Sequence, residues 1–515
     1  MAMQPYVIKS LPGVKRDGTR LENGFYVDGQ WCRFQRGLPR KMGGYSRITN
    51  KLPELCRGVN TFNEDGTLHI ASGGQSYLTQ IELNQNGILN GIFDRTPTGF
   101  AANPNHLWTF DVSYDALGAN PGAYLLAHAG VSLSDIDTAV TSPLYYGFVN
   151  DTAKLTLNAA APAVSGGVVT LYPYTFVYGS NGFLAWSVPN KPDDFTSLGS
   201  GQTYITAQKI VAALPLRAGA GNSPAGLFWS LDSLCRATFV GGDPVFQFDT
   251  ISSQSSILSQ QTPIEYDGIY YWVGVDRFLM FNGVVREVPN QLNQNWFFDN
   301  LNYNYRQKVY SFKIPRFGEI WFCYPRGSAT ECTHAVIYNV RENTWYDTEL
   351  PNNGLTMARF ANVFQYPISF GLEPDEITNE YKVWQNEIGY DEIDGQQVNA
   401  IPSWFETADI AAVADPNNPK LRSLRCGIVE PDFVQSGDMT CQITGRANSR
   451  SPDQPSEIKT FPALAEVDKP EEQVIFFKDT RREMRFKFMS NTVGGNYQMG
   501  QCIAHIDVSD GTTLG

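Results

Sequence analysis

Residues 318–351, GEIWFCYPRGSATECTHAVIYNVRENTWYDTELP, decide the fold class. They read as three successive strands, Glu319–Tyr324, Ala335–Val340 and Thr344–Asp347, with a turn-rich PRGSATEC after the first and a tight turn at Arg341–Asn343 before the last. Apolar side chains fill both alternating sets of the first two strands: Ile320, Phe322 and Tyr324 against Trp321 and Cys323, then Val336, Tyr338 and Val340 against Ala335 and Ile337. Strands apolar on both sides need cover on both faces. A meander of that kind suits the blade of a β-propeller, where blades pack face to face around an axis. One blade cannot bury itself, so the motif has to repeat.

It does repeat, loosely. Strand cores align at LHIASG (68–73), YLLAHAG (124–130), TFVYGSNG (175–182), LFWSLDS (227–233), IYYWVGVD (269–276), EIWFCYPR (319–326) and PISFGLEP (367–374). After a short polar or Gly turn most lead to a second strand: YLTQIEL, SLSDIDT, FLAWSVP, LCRATFVG, RFLMFNG, AVIYNVR and EYKVWQNE. The cores recur at about 43 to 56 residues, the spacing of four-stranded blades. Trp186, Trp229 and Trp272 stand 43 residues apart, although Trp186 falls on the second strand of its pair. Residues 289–308, PNQLNQNWFFDNLNYNYRQK, interrupt the series with the pattern of a short surface helix around Leu292, Trp296 and Leu301. After Trp384 the composition changes. NEIGYDEIDGQQ (386–397) and ADPNNPK (414–420) read as linker. Beyond them Met439, Cys441 and Ile443 alternate with Thr440, Gln442 and Thr444. Met484, Phe486 and Phe488 oppose Arg485 and Lys487, and Cys502, Ala504, Ile506 and Val508 oppose His505 and Asp507. Such half-polar strands predict a small sandwich.

The expected fold is therefore all-β: a β-propeller of six or seven blades over 58–385 and a smaller C-terminal antiparallel β-sandwich over 426–515. A linker region, 386–425, joins them, and 1–57 precedes them as a basic N-terminal arm or first-blade segment. With 515 residues, 46 Gly, 30 Pro and 13% aromatics, the chain has the size and composition for a repetitive β domain plus a second one. A string of hairpins in separate sandwiches is the competing architecture.

Charge is uneven. Residues 1–57 hold eleven Lys/Arg against four Asp/Glu, a net of +7 in a chain of net −13, which leaves −20 for the rest. A basic segment on an acidic body implies two kinds of surface. Arg33, Arg36, Arg40, Lys41 and Arg47 are the candidate assembly contacts, since guanidinium groups pair bidentately with carboxylates. Deletion of 1–50 is then expected to leave a folded chain that fails to assemble. No apolar run nears the roughly 20 residues that span a bilayer, and the opening MAMQPYVIKS has no signal-peptide core, so a soluble, cytosol-made protein is expected.

Motifs for chemistry do not emerge. There is no GxxxxGK[ST], GxGxxG after a strand, HExxH or GxSxG, and no catalytic, cofactor-binding or metal-ligating set is assigned. His69 and His128 occupy equivalent places in two repeats and are a conceivable metal pair, with hydrogen-bonded core histidines as the plainer reading. Asp391–Gly395 and Asp415–Asn418 offer oxygens without EF-hand spacing. Asp193–Asp194 is a carboxylate doublet that turn chemistry already explains. The eight cysteines read as reduced and mostly buried, Cys323 and Cys332 being the one pair that flanks a hairpin.

Three stretches carry a family resemblance: GQWCRFQRGLPRKMGGY (29–45), NQNWFFDNLNYNYRQKVYSFKIPRFGEIWFCYPRGSATECTHAVIYNVRENTWY (293–346) and TRREMRFKFMSNTVGGNYQMGQCIAHID (480–507). In order and spacing the chain resembles the tail nozzle, or tail-hub, proteins of short-tailed double-stranded DNA phages, the group that includes the packaged-DNA stabilisation protein. The resemblance implies a virion tail protein, assembled in the host bacterial cytoplasm, with a propeller in each of six copies that ring the DNA channel below the portal adaptor. The ring would close that channel until ejection. Its implied partners are other copies of itself, the tail adaptor, tail fibres or a needle, and passing DNA without sequence-specific binding; it implies no enzymatic residues and no cofactor. An acidic body gives phosphates few places to bind, so the channel wall is expected to be neutral to acidic. A glycan-binding or glycan-cleaving propeller, whose paired carboxylates would leave no local signature, is the alternative, and a cellular propeller scaffold a further one.

Overall fold

The outer strand of the sheet built from residues 310–349 is buried along almost its whole length, and this arrangement organises the molecule. A computed structural model describes residues 3–19, 24–131, 140–216, 224–360, 366–411, 423–448, 450–463 and 474–508. They are nearly all β, with one short α-helix, Gln294–Asn300, where the sequence places it. Within 318–351 the strands are Glu319–Tyr324, His334–Asn339 and Thr344–Glu349, preceded by Tyr310–Ile314, and all four pair antiparallel in sequence order.

Six such four-stranded antiparallel meanders follow one another, spanning 59–94, 106–157, 167–204, 210–252, 264–287 and 310–349. A seventh combines Leu355–Phe360, Pro367–Pro374 and Tyr381–Asn386 with Tyr45–Leu52 from the beginning of the chain. Every one of the seven aligned cores is the second strand of its own sheet. Six of the seven partner segments supply the third strand. SLSDIDT lies outside the described residues, and the third strand of that sheet is Leu144–Phe148. The first strands pack in cyclic order: first on second, second on third, third on fourth, fifth on sixth, sixth on seventh, and seventh on first. Fourth and fifth sheets join through Trp229 and Trp272, edge to face with centroids 5.7 Å apart, so two of the regularly spaced tryptophans meet.

Segment 1–57, expected as a basic arm or first-blade segment, is strand in large part, and its Tyr45–Leu52 joins the seventh sheet. Gln4–Val7 pairs with Ile503–Val508, Asp28–Gln30 with Ser403–Glu406, and the hairpin Cys32–Gln35/Leu38–Lys41 with Asn496–Met499. Its apolar residues Tyr26, Phe34 and Met42 are buried in the same core as Phe405, Phe488 and Tyr497. The physical reason is that alternation too short for an independent domain suffices for strands that complete other sheets. Deletion of 1–50 therefore removes structure from five sheets, which argues against the expected folded truncated chain. The linker 386–425 is likewise strand in part. Asp391–Asp394 pairs with Tyr45–Leu52 and with Gln397–Ala400, and Ser403–Glu406 enters a C-terminal sheet; ADPNNPK lies outside the described residues.

The C-terminal strands keep the expected alternation, with Met439, Cys441, Ile443, Met484, Phe486, Phe488, Cys502 and Ala504 buried. Arg485 and Thr444 are buried too. Arg485 lies between Glu406, at 2.9 Å, and Asp453, at 2.7 Å, which makes a buried guanidinium tolerable. All eight cysteines are free and buried, Cys323 and Cys332 included. Among the described residues no helix is long and apolar enough to cross a membrane.

Candidate functional site

The basic segment meets the sixth sheet at a buried charge cluster. Arg33, 1% exposed, ion-pairs with Glu319 at 2.8 Å and donates to Glu387 at 2.8 Å, and its guanidinium lies 3.8 Å from the centre of the Phe317 ring. Trp321 Nε1 donates to Glu319 at 3.0 Å and the Tyr346 hydroxyl at 2.6 Å. Arg33, Tyr346 and Trp321 favour the carboxylate form of Glu319, while burial, the larger influence, and the nearby Glu387 raise its pKa. Burial opposes the charge on Arg33, but Glu319 and Glu387 outweigh it and hold the guanidinium above its ordinary pKa. The cluster ties residue 33 to the sixth sheet and to the end of the seventh.

The five candidate assembly residues divide accordingly. Arg33 and Lys41 are corrected: both are buried, Lys41 donating to the Gly495 carbonyl at 2.8 Å, and burial lowers its pKa to about 8. A buried side chain with partners inside its own chain is no surface contact. Arg47 is half-buried and pairs with Asp394. Arg36 is exposed, and Arg40 half-buried against Phe317, 5.7 Å from its ring centre.

Around those last two stand residues that sequence reasoning missed. Glu342, in the turn before Thr344–Glu349, accepts the backbone N–H groups of Arg36 at 3.0 Å and Gly37 at 3.2 Å, so the tip of one hairpin sits on the tip of another. Arg316 and Arg341, from the two turns at that end of the sixth sheet, are exposed. Arg316 stacks near Phe317 at 5.2 Å, and Arg341 donates to the carbonyls of Arg316, 2.9 Å, and Pro315, 2.8 Å. Four arginines thus share one tip with a single half-buried phenylalanine. The signal was present in PRFG and VREN, but it becomes visible only once the hairpin ends are placed beside residue 36.

Side chains bridge the fifth sheet's lead-in and the second sheet. Gln260 and Gln261, leading into the fifth sheet, donate to Leu107 O at 3.2 Å and Trp108 O at 3.1 Å in the second. Beside them Arg57, Leu107, Gln261, Gln307, Lys308, Thr356 and Met357 enclose a cavity of about 10 Å³, barely room for one water. Arg57 and Lys308 both hold Glu331, at 2.7 and 2.5 Å.

The remaining candidates resolve into structural roles. His128 Nε2 lies 3.0 Å from Ser142 O and 3.1 Å from Val164 O, while His69 Nδ1 takes Gln80 Nε2 at 3.0 Å, so each has its own partners. Burial lowers both pKa values to about 4. Asp194 accepts from the backbone of Thr196 and Ser197, both 3.0 Å, as a turn residue. Asp391 accepts from Gly494 N at 2.8 Å, and Asp394 from Lys382 Nζ at 2.9 Å, so the acidic DEID strand binds this chain's own groups. Asp415–Asn418 lies outside the described residues. Among the described residues no group of three or more His, Cys, Asp or Glu is placed to hold a metal.

No family model matches the chain, and no curated protein matches it. Among solved structures it is similar to the crystal structure of the computationally designed Ika8 protein, at 11% identity, covering 66% of this chain and 99% of that one with a TM-score of 0.34.

Proposed function

We propose that the chain is a structural subunit of a phage tail nozzle, its seven sheets forming the blades of a seven-bladed propeller. In this reading copies of it, six in the expected ring, surround the DNA channel below the adaptor and close it until ejection. The observation that carries the proposal is the cyclic order of seven like sheets, the last completed by Tyr45–Leu52 from the start of the chain. A wheel fastened by its own terminus is a stiff building block, suited to bearing load in a ring. The bridge that Gln260 and Gln261 make to the second sheet adds a geometric requirement: DNA passes between copies, not through a propeller. With −20 outside residues 1–57, the surface turned to that passage is expected to be neutral to acidic, which keeps phosphates from adhering.

Electron microscopy of the purified protein, with and without its adaptor, tests the proposal. Sixfold rings at a particle vertex are expected. Isolated monomers that cleave host polysaccharide would replace it with the glycan reading.

A further inference from the structure

The arginine tip of the sixth sheet has a counterpart on the seventh. Glu373, near the end of Pro367–Pro374, is followed by Asp375, Glu376 and Glu380 in the loop to Tyr381–Asn386, with Ile377 at its apex, 94% exposed. Glu373 and Glu376 are exposed and Glu380 is half-buried. Asp375 is held by Asn50 at 2.9 Å and lies 3.8 Å from Arg47; Lys382 and Arg47 are both engaged by Asp394, and Lys51 stands on the adjoining strand end. The loop as a whole is acidic around one apolar residue.

The two features face opposite ways. Arg316 and Arg341 occupy the turns that follow the first and third strands of the sixth sheet, whereas residues 325–333 connect its second and third strands at the far end. That far end is where the seventh sheet begins: Leu355 N donates to Cys332 O at 3.0 Å, and Leu372 N to Gly354 O at 3.2 Å. The acidic loop therefore leaves from the end of the sheets opposite the arginines.

We propose that these two tips are the halves of a head-to-tail contact between copies of this chain, the acidic loop of one copy seating on Arg36, Arg40, Arg316 and Arg341 of the next. Among the described residues none of these four guanidiniums forms an ion pair, and Glu342 spends its oxygens on backbone N–H groups. Each half has the same anatomy, an apolar centre within a charged rim: Phe317 flanked by arginines, Ile377 flanked by glutamates. Guanidinium groups match carboxylates bidentately, and a chain of net −13 repels nucleic acid, so a protein carboxylate is the fitting anion. Different patches meeting on each copy make the contact heterologous, which closes into a ring when the rotation permits. This inference supplies the self-contact that the nozzle reading requires and rests on that reading for its biological setting.

The test is a charge swap followed by sedimentation at low and high salt. The unaltered chain is expected to self-associate at low salt and to weaken as salt rises. Arg316→Glu with Arg341→Glu, and separately Glu376→Arg with Glu380→Arg, should each weaken association roughly a hundredfold, because like charges then face each other. An equimolar mixture of the two variants should recover it, as should one chain that carries all four substitutions. Arg316, Arg341 and Glu376 are exposed and Glu380 is half-buried, so urea midpoints are expected to stay within about 0.5 kcal/mol of the unaltered chain. Overturning results are an unaltered chain that stays monomeric at low salt, single-tip variants that assemble normally, or arginine variants that lose only retention of DNA on a filter. Rings that survive both tip variants would remove this contact and leave the nozzle reading standing. Association through the tips by a chain that never enters a tail particle would do the reverse.

Discussion

The third and sixth sheets are the same unit with opposite outer edges. In the third, Gly201–Tyr204 is the last strand, half-exposed to exposed, with Tyr204 facing solvent and Leu198 just before it fully exposed. In the sixth, Thr344–Glu349 is buried up to its final residue. The residues of the two strands do not account for this; a distant segment does. Thr344 Oγ1 donates to Pro12 O at 2.8 Å, Trp31 N to Thr348 Oγ1 at 3.0 Å, and Arg16 reaches Asp347 at 3.0 Å. Gly13 makes the approach possible, since at its φ of +109° a Cβ would lie 2.4 Å from Thr344 Oγ1. An edge strand offers unpaired backbone groups, and what covers it decides its role. The sixth sheet is a junction, the third a rim.

The largest test of that contrast is to remove the cover. Deletion of 1–50 takes away most of Tyr45–Leu52, the closing strand of the seventh sheet, and strands from three C-terminal sheets. The truncated chain should show no single cooperative urea transition, whereas the full chain should show one. A cooperative transition of native amplitude in the 1–50 deletion would mean that the junction is dispensable.

Next in size is the buried charge. Arg33→Met leaves Glu319 without its cation and should cost about 3–5 kcal/mol, the usual penalty for breaking a buried pair from one side. Arg277→Met, which removes an exposed pair with Asp276, should stay within about 0.5 kcal/mol. Equal effects from the two would erase the distinction between junction and rim.

These residues also mark how far the sequence could be read. The seven cores were legible because each is a two-sided apolar strand, and that property survives in any neighbourhood. The strands of 318–351 were legible to within a residue or two for the same reason, with Gly and Asn punctuating the turns. The segment 1–57 was not, because its strands are two to four residues long before Tyr45, and Gln4–Val7, Asp28–Gln30 and Leu38–Lys41 take partners some 300 to 500 residues away. Its charge was visible, but its burial was not: Arg33 and Arg36 look alike in sequence, and only Glu319 and Glu387, brought from elsewhere, separate them. The arginine tip escaped for the same reason, since half of it comes from the hairpin at 32–41 and half from turns near 316 and 341.

A third measurement sets the junction against the interior of the second sheet. His128 is fully buried, and burial lowers its pKa from 6.5 to about 4. Between those values the unfolded chain binds more protons than the folded one, so stability is complete above pH 6.5 and declines as pH falls toward 4, by up to about 3 kcal/mol. His128→Gln should lower stability at neutral pH and flatten that decline in urea titrations at successive pH values. A wild-type slope retained in the variant would assign the acid sensitivity to other groups, His69 first among them.

The smallest expected effect belongs to the rim. Leu198→Asn replaces a fully exposed side chain that contributes nothing to the described core clusters, so its urea midpoint should shift by no more than about 0.5 kcal/mol. The same substitution at Leu227, wholly buried between the fourth and fifth sheets, would bury an amide without partners and cost several times more. A Leu198 variant that loses more than about 1 kcal/mol only at concentrations where copies associate would show that the third sheet's edge is covered after all, by a neighbour in place of the chain's own terminus. The contrast between sheets would then be one of timing, with the sixth edge sealed during folding and the third during assembly.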